Sequence, residues 1–184
     1  MGLEALRRQL AQDENLFPPH IRETQNMGID SKYGKPKGVP VGTWWPTRQE
    51  CCAARVHRTT EAGIHGCKDG AFSVVMSGVY DDVDDGETFV YIGTGGRQNS
   101  SSCADQSMER KQNQYLVKSF KSRKVVRVVR GKNPASKWAP ASGYRYDGLY
   151  FITEAWEEKG KTGFKVCKFR FKRLPDQLPL PEAM

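Results

Sequence analysis

Phe72-Ser-Val-Val-Met-Ser-Gly-Val-Tyr-Asp-Asp-Val-Asp-Asp-Gly-Glu-Thr-Phe-Val-Tyr-Ile-Gly-Thr-Gly-Gly96 is the stretch that decides how this chain is read. Two β-rich runs, Phe72–Met76 and Thr88–Ile92, bracket an acidic segment and lead into a glycine-rich turn. Branched and aromatic side chains suit a pleated, half-buried surface, whereas Gly and Asp interrupt it. The same texture continues outward in Val39–Trp45, Val125–Val129, Gly148–Thr153 and Phe164–Phe171, each cut by turns that contain glycine. One helical window stands inside it, Ala104 to Phe120, where Met108, Tyr115, Leu116 and Phe120 share a face. From Gly38 onward the pattern predicts a mixed α+β, mainly β fold with the cadence of a β-barrel or sandwich and a few helices.

Flanking segments differ in texture. Residues 1–37 read as an N-terminal arm and linker, with an amphipathic helix over Leu3–Leu16 carried by Leu3, Leu6 and Leu10 and ended by Pro18-Pro19. Residues 174–184 form a Pro-rich tail expected to fade into disorder. The 184 residues suit one compact domain, and 38% apolar content is enough for a core. No period of repeated units appears.

No apolar run approaches the ~20 residues of a membrane helix, and no secretory signal opens the chain, so a soluble, intracellular protein is expected. The five cysteines lack any C-x-x-C pair, which predicts reduced, mostly buried thiols and no zinc site. Twenty-nine Lys and Arg against 21 Asp and Glu leave a formal charge of +8, favouring nucleic acid over an anionic membrane as partner. Basic residues cluster at Arg110–Lys111, from Lys118 to Lys132, and from Lys165 to Arg173. In Lys168-Phe169-Arg170-Phe171-Lys172-Arg173, strand alternation would turn the aromatics inward and the cations outward, toward phosphates or water.

The acidic segment Ser77–Gly86 does not have the spacing of a calcium hand, and a solvated acidic turn is the plainer reading. The turn Tyr91–Arg97 permits close backbone approach to a ligand, yet it lacks the Lys-Ser/Thr of a P-loop and is not G-x-G-x-x-G. Neither G-x-S-x-G nor H-E-x-x-H nor a deaminase signature is present, and His57 and His65 read as structural hydrogen-bonders. No enzyme, metal or cofactor is expected.

Nine stretches, in order, together resemble the SRA domain family (SET- and RING-associated, or YDG). They are Gly38-Val-Pro-Val-Gly-Thr-Trp44, Ala62-Gly-Ile-His-Gly66, Asp69-Gly-Ala-Phe72, Gly78-Val-Tyr-Asp-Asp-Val-Asp84, Tyr91-Ile-Gly-Thr-Gly-Gly96, Asp105-Gln106, Val126-Arg-Val-Val-Arg130, Tyr144-Arg-Tyr-Asp-Gly148 and Glu158-Lys-Gly-Lys-Thr-Gly-Phe164. The resemblance, which runs over residues 38–173, implies a twisted β-barrel of SRA/PUA-like type with flanking helices that flips 5-methylcytosine, at hemimethylated CpG, out of duplex DNA. Tyr80 and Tyr91 would sandwich the ring, and Asp82 would select cytosine, because a carboxylate accepts from N4–H but repels the O4 of thymine. Backbone groups of Ser77, Gly78 and Val79 and those around Ile92 would complete the bonds, and the methyl would sit near Gly93, Thr94 and Gly96. Glu61 and the loop Arg97, Gln98, Asn99 and Ser100, with Arg58, Lys124 and Arg127, are the expected DNA contacts.

Three departures accompany the likeness. Ile92 stands where relatives often carry Thr, Glu61 stands where vertebrate-type members carry an apolar thumb, and the finger loop is reduced to about Gln98–Cys103. The resemblance further implies a monomeric nuclear reader without its own effector, supporting maintenance of DNA methylation or heterochromatin. The Leu3–Leu16 helix is then the candidate docking element for a DNA methyltransferase or chromatin protein. Alternatives are the recognition domain of a modification-dependent nuclease, another base-processing enzyme, and a protein-interaction barrel that does not bind DNA.

Overall fold

Ten strands and two helices make up the regular structure of the described residues, 32–78, 83–98 and 101–182, of the computed structural model. In chain order they are β1 (Trp44–Trp45), α1 (Arg48–Ala53), β2 (Ile64–Cys67), β3 (Gly70–Met76), β4 (Val83–Asp84), β5 (Thr88–Ile92), β6 (Arg97–Gln98), β7 (Ser101–Ser102), α2 (Lys111–Ser122), β8 (Val126–Gly131), β9 (Tyr144–Lys159) and β10 (Lys165–Arg173). The helix expected over Leu3–Leu16 lies outside the described residues.

Eight strands form one sheet in the order β2-β3-β8-β9-β10-β5-β4, with β1 added to β9. The path has two free ends, so the barrel-like sheet is twisted but not closed. Only β3 and β8 of this path run parallel. β3 is buried at every position, as a strand covered on both faces should be. On β10, Phe169 and Phe171 point inward opposite Tyr91 and Phe89 of β5, and Phe89 stacks on Phe171 at 4.7 Å. α2 closes one face with Leu116, Val117 and Phe120, which share the stripe expected from their spacing.

Several boundaries differ from the sequence reading. Val39–Trp45 contributes only Trp44–Trp45 to the sheet, and the expected helix from Ala104 starts at Lys111. Gln106 N–H donates to Lys165 O and Asp105 accepts from Lys165 N–H, so the backbone before α2 is spent as an edge on β10 and cannot coil. Nor does the tail leave the domain at residue 174. Leu174 and Leu180 are buried, and the Gln177 amide pairs with both the N–H and the carbonyl of Leu149. Upstream of Gly38, Tyr33 packs edge-on against Phe72 and Gly34 O accepts from Arg127, so residues 32–37 belong to the folded unit.

Burial also reassigns cations. Arg127, Arg130, Arg145 and Arg173 are all buried, although Arg127 was expected on DNA, Arg130 within a basic cluster and Arg173 facing outward. Arg127 Nε donates to Gly34 O at 2.7 Å and Nη1 to Arg55 O at 3.0 Å, which ties two loops to mid-sheet and withdraws it from any phosphate.

Candidate nucleic-acid interface

One end of β3 and β5 opens into a cavity of about 260 Å³. Val75 from β3, Tyr91 and Ile92 from β5, Ser77 and Thr94 from the following turns, and the loop Glu61–Gly63 supply most of its wall; Arg48 of α1 and Gln112 of α2 complete it. That is below the ~300–1,000 Å³ of drug-sized sites and many times the ~30 Å³ share of a water molecule, a size suited to one ring. Tyr91 is fixed in the wall: its ring meets Phe171 edge-on and its OH donates to Gly63 O at 3.3 Å. A Cβ at Gly63 would come within 2.9 Å of that OH, so only glycine lets the loop close over the ring. Arg48 holds the same loop from beneath, its Nη2 donating to Thr59 O and Ala62 O.

His57 is wholly buried behind this loop, between Ser73 Oγ (2.7 Å from Nδ1) and Ala62 O (2.8 Å from Nε2). A carbonyl can only accept, so Nε2 carries the proton and Nδ1 accepts from the serine. Burial pushes its pKa down to about 3, which suits a neutral structural bridge and not a base working near neutrality.

One buried clamp holds the glycine-rich turn of the cavity, and a second lies at the β4 end of the acidic segment. Asn113, fully buried on α2, accepts from Thr94 N–H at 2.9 Å and returns Nδ2–H to Thr94 O at 3.0 Å and Ser107 O at 2.9 Å. Gln106 adds bonds from Nε2 to Gly93 O and Gly95 O while its Oε1 accepts from Cys167 N–H. On the other side Arg130 grips Asp84 with Nε and Nη2, at 2.9 and 2.7 Å, and reaches Asp147, Tyr150 OH and Gly86 O with its remaining donors. Burial opposes ionisation of Asp84, but the hydrogen bonds and charge of Arg130, with Ser136 Oγ and Gly86 N–H, outweigh it and hold the carboxyl below its usual range.

The family model of the SAD/SRA domain matches residues 32–177. The chain belongs to this family. It is 42% identical over 179 residues to a UHRF1-like protein of Cryptococcus neoformans, covering 87% of this chain and 52% of that one. It is 43% identical over 169 residues to the E3 ubiquitin-protein ligase UHRF1 of Danio rerio, covering 79% of this chain and 22% of the relative. The chain thus spans about half of the first relative and about a fifth of the second. Among solved structures, the modification-dependent TagI restriction endonuclease superposes with a TM-score of 0.73 at 35% identity, over 78% of this chain and 53% of that one. The SUVH5 SRA domain in complex with fully methylated CG DNA gives 0.70 at 37% identity, over 81% and 99%, and its hemimethylated CG complex gives 0.70 at 37%, over 81% and 98%.

Of the residues expected in the SAD/SRA pocket, Ser77, Tyr91, Ile92 and Thr94 line the cavity, with buried Gly93 between the last two. Gly78 is exposed at a φ of 67° and faces Asn133 instead of lining the cavity. Val79, Tyr80, Asp82, Asn99 and Ser100 lie outside the described residues. Glu61 is exposed at the rim, and Arg97 and Gln98 form β6, paired to β7 just past the Gly93–Gly96 turn. Arg58 is half-buried near the thumb loop. Lys124 stands elsewhere: it donates to Asp69 O beyond the opposite end of β3, whose seven residues at ~3.3 Å each separate it from the cavity by about 20 Å. Three cations of β10 face acids: Lys165 pairs with Glu157, Lys168 with Glu158 and Arg170 with Glu154.

Sequence reasoning missed Arg48, Gln112, Asn113 and the tie from Asp84 to Arg130. For Asn113 a signal existed: it shares the α2 stripe with Leu116, Val117 and Phe120, and a polar side chain on a buried stripe needs partners. Asp84 was hidden among four acids in five positions, 81–85.

Proposed function

We propose that this SAD/SRA domain reads 5-methylcytosine in duplex DNA by drawing the base out of the stack into the cavity beside Tyr91. The observation that carries the reading is a ring-sized cavity walled by Tyr91, Ile92, Ser77 and Thr94, with Ser77 three residues before Tyr80 and five before Asp82 in the chain. Extruding a base costs a few kcal/mol, and stacking on an aromatic ring returns ~1–3 kcal/mol per base. Tyr91 supplies one such ring, and Tyr80 is proposed as the second. Asp82 is proposed to accept from the N4 amine, which thymine lacks. A methyl placed against Thr94 and Gly93 adds ~0.8 kcal/mol, roughly a fourfold preference.

Hemimethylated CpG, one of several modified duplexes found in complex with the SUVH5 SRA domain, is the proposed duplex, and the nucleus the proposed place of action. A DNA methyltransferase or chromatin protein is the proposed partner beyond DNA. The deciding experiment is an affinity panel of unmodified, hemimethylated and fully methylated CpG duplexes at fixed salt, because phosphate contacts make every affinity salt-dependent. Methyl-dependent binding that disappears in Asp82→Ala and Tyr91→Ala supports the reading, whereas equal affinity for all three duplexes overturns it. The likeness to the TagI endonuclease supports a second reading, in which the same reading domain directs a nuclease carried elsewhere in a longer chain. Strand cleavage of methylated duplex with magnesium by the longer chain, absent from this domain alone, would select it.

A further inference from the structure

Over Tyr146 of β9, the segment 35–41 and the C-terminal tail form the two lips of an apolar groove of about 550 Å³. The lips meet at Gly42 and Pro181, where a Cβ on the glycine would sit 3.8 Å from the proline Cγ. A second hollow of about 400 Å³ continues beyond that point to Trp44. Among the described residues the exposed large apolar side chains are Trp44, Val83 and Leu178, and two of the three lie here: Leu178 is 59% exposed on the tail lip, and Trp44 is 48% exposed in the second hollow. Contiguous apolar surface of this kind marks a contact site. Among the described residues none lines both this groove and the cavity beside Tyr91.

Both lips are held in place by the fold. Gly42 N–H donates to Tyr146 O at 2.8 Å and Tyr146 N–H donates to Thr43 O at 2.9 Å. On the other lip, the Gln177 amide is bonded to Leu149, and Arg173 Nη2 donates to Leu178 O at 2.6 Å. Charge is segregated between them. Residues 32–45 carry Lys32, Lys35 and Lys37 and no acid, whereas residues 174–182 carry Asp176 and Glu182 and no cation. Lys35, Lys37, Asp176 and Glu182 are exposed, and among the described residues none of the four forms an ion pair.

We propose that this groove is the contact between two copies of the chain, related by a two-fold axis that runs along it. That rotation lays the lysine lip of each copy on the acidic lip of the other and seats Leu178 against the partner's Val39 and Val41. An isologous contact needs one patch that carries its own complement, and here cation lies beside anion and an apolar knob beside an apolar hollow. Apolar burial supplies the affinity, while the charges set the orientation and offset the repulsion between two copies of formal charge +8. The dimer replaces the monomer implied by the family resemblance, and it stands whether or not the cavity beside Tyr91 reads methylcytosine.

Sedimentation equilibrium over a range of protein concentrations tests the contact. The wild type is expected to show a monomer–dimer equilibrium. Leu178→Ser should raise the dimer dissociation constant by about tenfold or more, because two such side chains are covered in each dimer. Lys35→Glu with Lys37→Glu makes both lips acidic, and Asp176→Lys with Glu182→Lys makes both basic. Each double variant alone should be monomeric where the wild type is dimeric, and an equimolar mixture of the two should recover the dimer. Should Asp176→Lys, at a φ of 60°, fail to fold, Asp176→Asn with Glu182→Lys takes its place. Thermal denaturation of the monomers should match wild type, since the altered side chains are exposed. A wild type that stays monomeric at every soluble concentration overturns the proposal. So does a mixture that fails to recover the dimer, or a charge-reversed variant that still dimerises alone. A monomeric wild type that loses thermal stability with Leu178→Ser would instead assign the groove to the chain's own residues before 32, and overturns it equally.

Discussion

Replacing Arg130 by methionine removes the one guanidinium that compensates Asp84. Asp84 and Asp147 have side chains only 3% and 0% exposed. Asp147 keeps Arg145, whose Nε donates to it at 2.6 Å, but Asp84 is left with one hydroxyl and one backbone N–H. Stranding a buried charge in this way costs about 3–5 kcal/mol, a third or more of the ~5–15 kcal/mol that holds an ordinary domain together. The pH dependence has a defined sign. In the wild type the Asp84 pKa is depressed, so its contribution is present above the unfolded carboxyl pKa of ~3.9 and is lost as pH falls through the lower folded value. In Arg130→Met only burial remains as the main influence, the folded pKa rises above ~3.9, and the missing stability returns as pH falls through it. Urea denaturation followed by tryptophan fluorescence at several pH values should show the gap between the two proteins widest near neutrality and narrowing with acid. Adding Asp84→Asn should restore about 2 kcal/mol or more at pH 7, since an amide carries no charge to strand. A gap that is constant with pH and untouched by Asp84→Asn would refute the assignment of the cost to this carboxylate.

Three further outcomes follow from the same geometry. Tyr91→Ala should weaken binding to methylated duplex by about 10- to 100-fold, the worth of one stacked base, with the salt dependence unchanged; a variant that keeps its methyl preference in anisotropy titrations sinks the pocket assignment. Arg127→Ala should lower the melting temperature and leave the slope of log affinity against log salt unaltered, because the side chain is bonded to Gly34 and Arg55; a slope reduced by ~0.9 would put it on a phosphate after all. For His57, neutral in the fold down to about pH 3, protonation in the unfolded chain drains stability as pH falls below the ordinary value of 6.5, by up to ~1.4 kcal/mol per pH unit. His57→Gln should flatten that slope between pH 6.5 and 5, where carboxylates are still ionised, and calorimetry showing equal slopes would contradict the buried bridge.

Period-two alternation made Thr88–Ile92 and the inward face of β10 readable, because burial on one side of a strand leaves a direct trace in residue type. β2 left no such trace: a bulge between His65 and Gly66 breaks its alternation, and two of its four residues are His and Gly. The candidate pocket was legible only where ordered motifs carried it, at Ser77, Tyr91, Ile92 and Thr94. Asn113 left a trace as a polar side chain on the buried α2 stripe, but its partner did not, because α2 meets a turn some twenty residues earlier in the chain, which no local pattern encodes. Charge was the least readable property of all. A guanidinium reads the same in sequence whether it faces water or spends its donors on carbonyls inside, as Arg127, Arg130 and Arg173 do here.

That reassignment changes where a polyanion can bind. With four arginines withdrawn into the interior and the β10 cations facing Glu154, Glu157 and Glu158, the formal excess of +8 is not spread over the sheet. Among the described residues, exposed cations cluster at Lys32, Lys35 and Lys37 before β1, at Arg110, Lys111, Lys118 and Lys121 on and before α2, at Lys132 and Lys137 in the β8–β9 connection, and at Lys159, Lys161 and Lys165 around the β9–β10 turn. Two of these groups lie on elements close to the cavity in the fold: α2 carries Asn113, bonded to Thr94 in the cavity wall, and the connection carries Asn133, which faces Gly78 next to Ser77. A duplex held by phosphate contacts to these two elements would lie across the mouth between them. Because α2 also fixes Thr94 in the cavity wall, phosphate contacts on α2 and base reading would be mechanically joined. Charge reversal at Lys132 and Lys137 should then reduce affinity for methylated and unmethylated duplex in equal proportion and flatten the salt slope, by ~0.9 for each contact removed, while reversal at Lys165 or Lys172 should not.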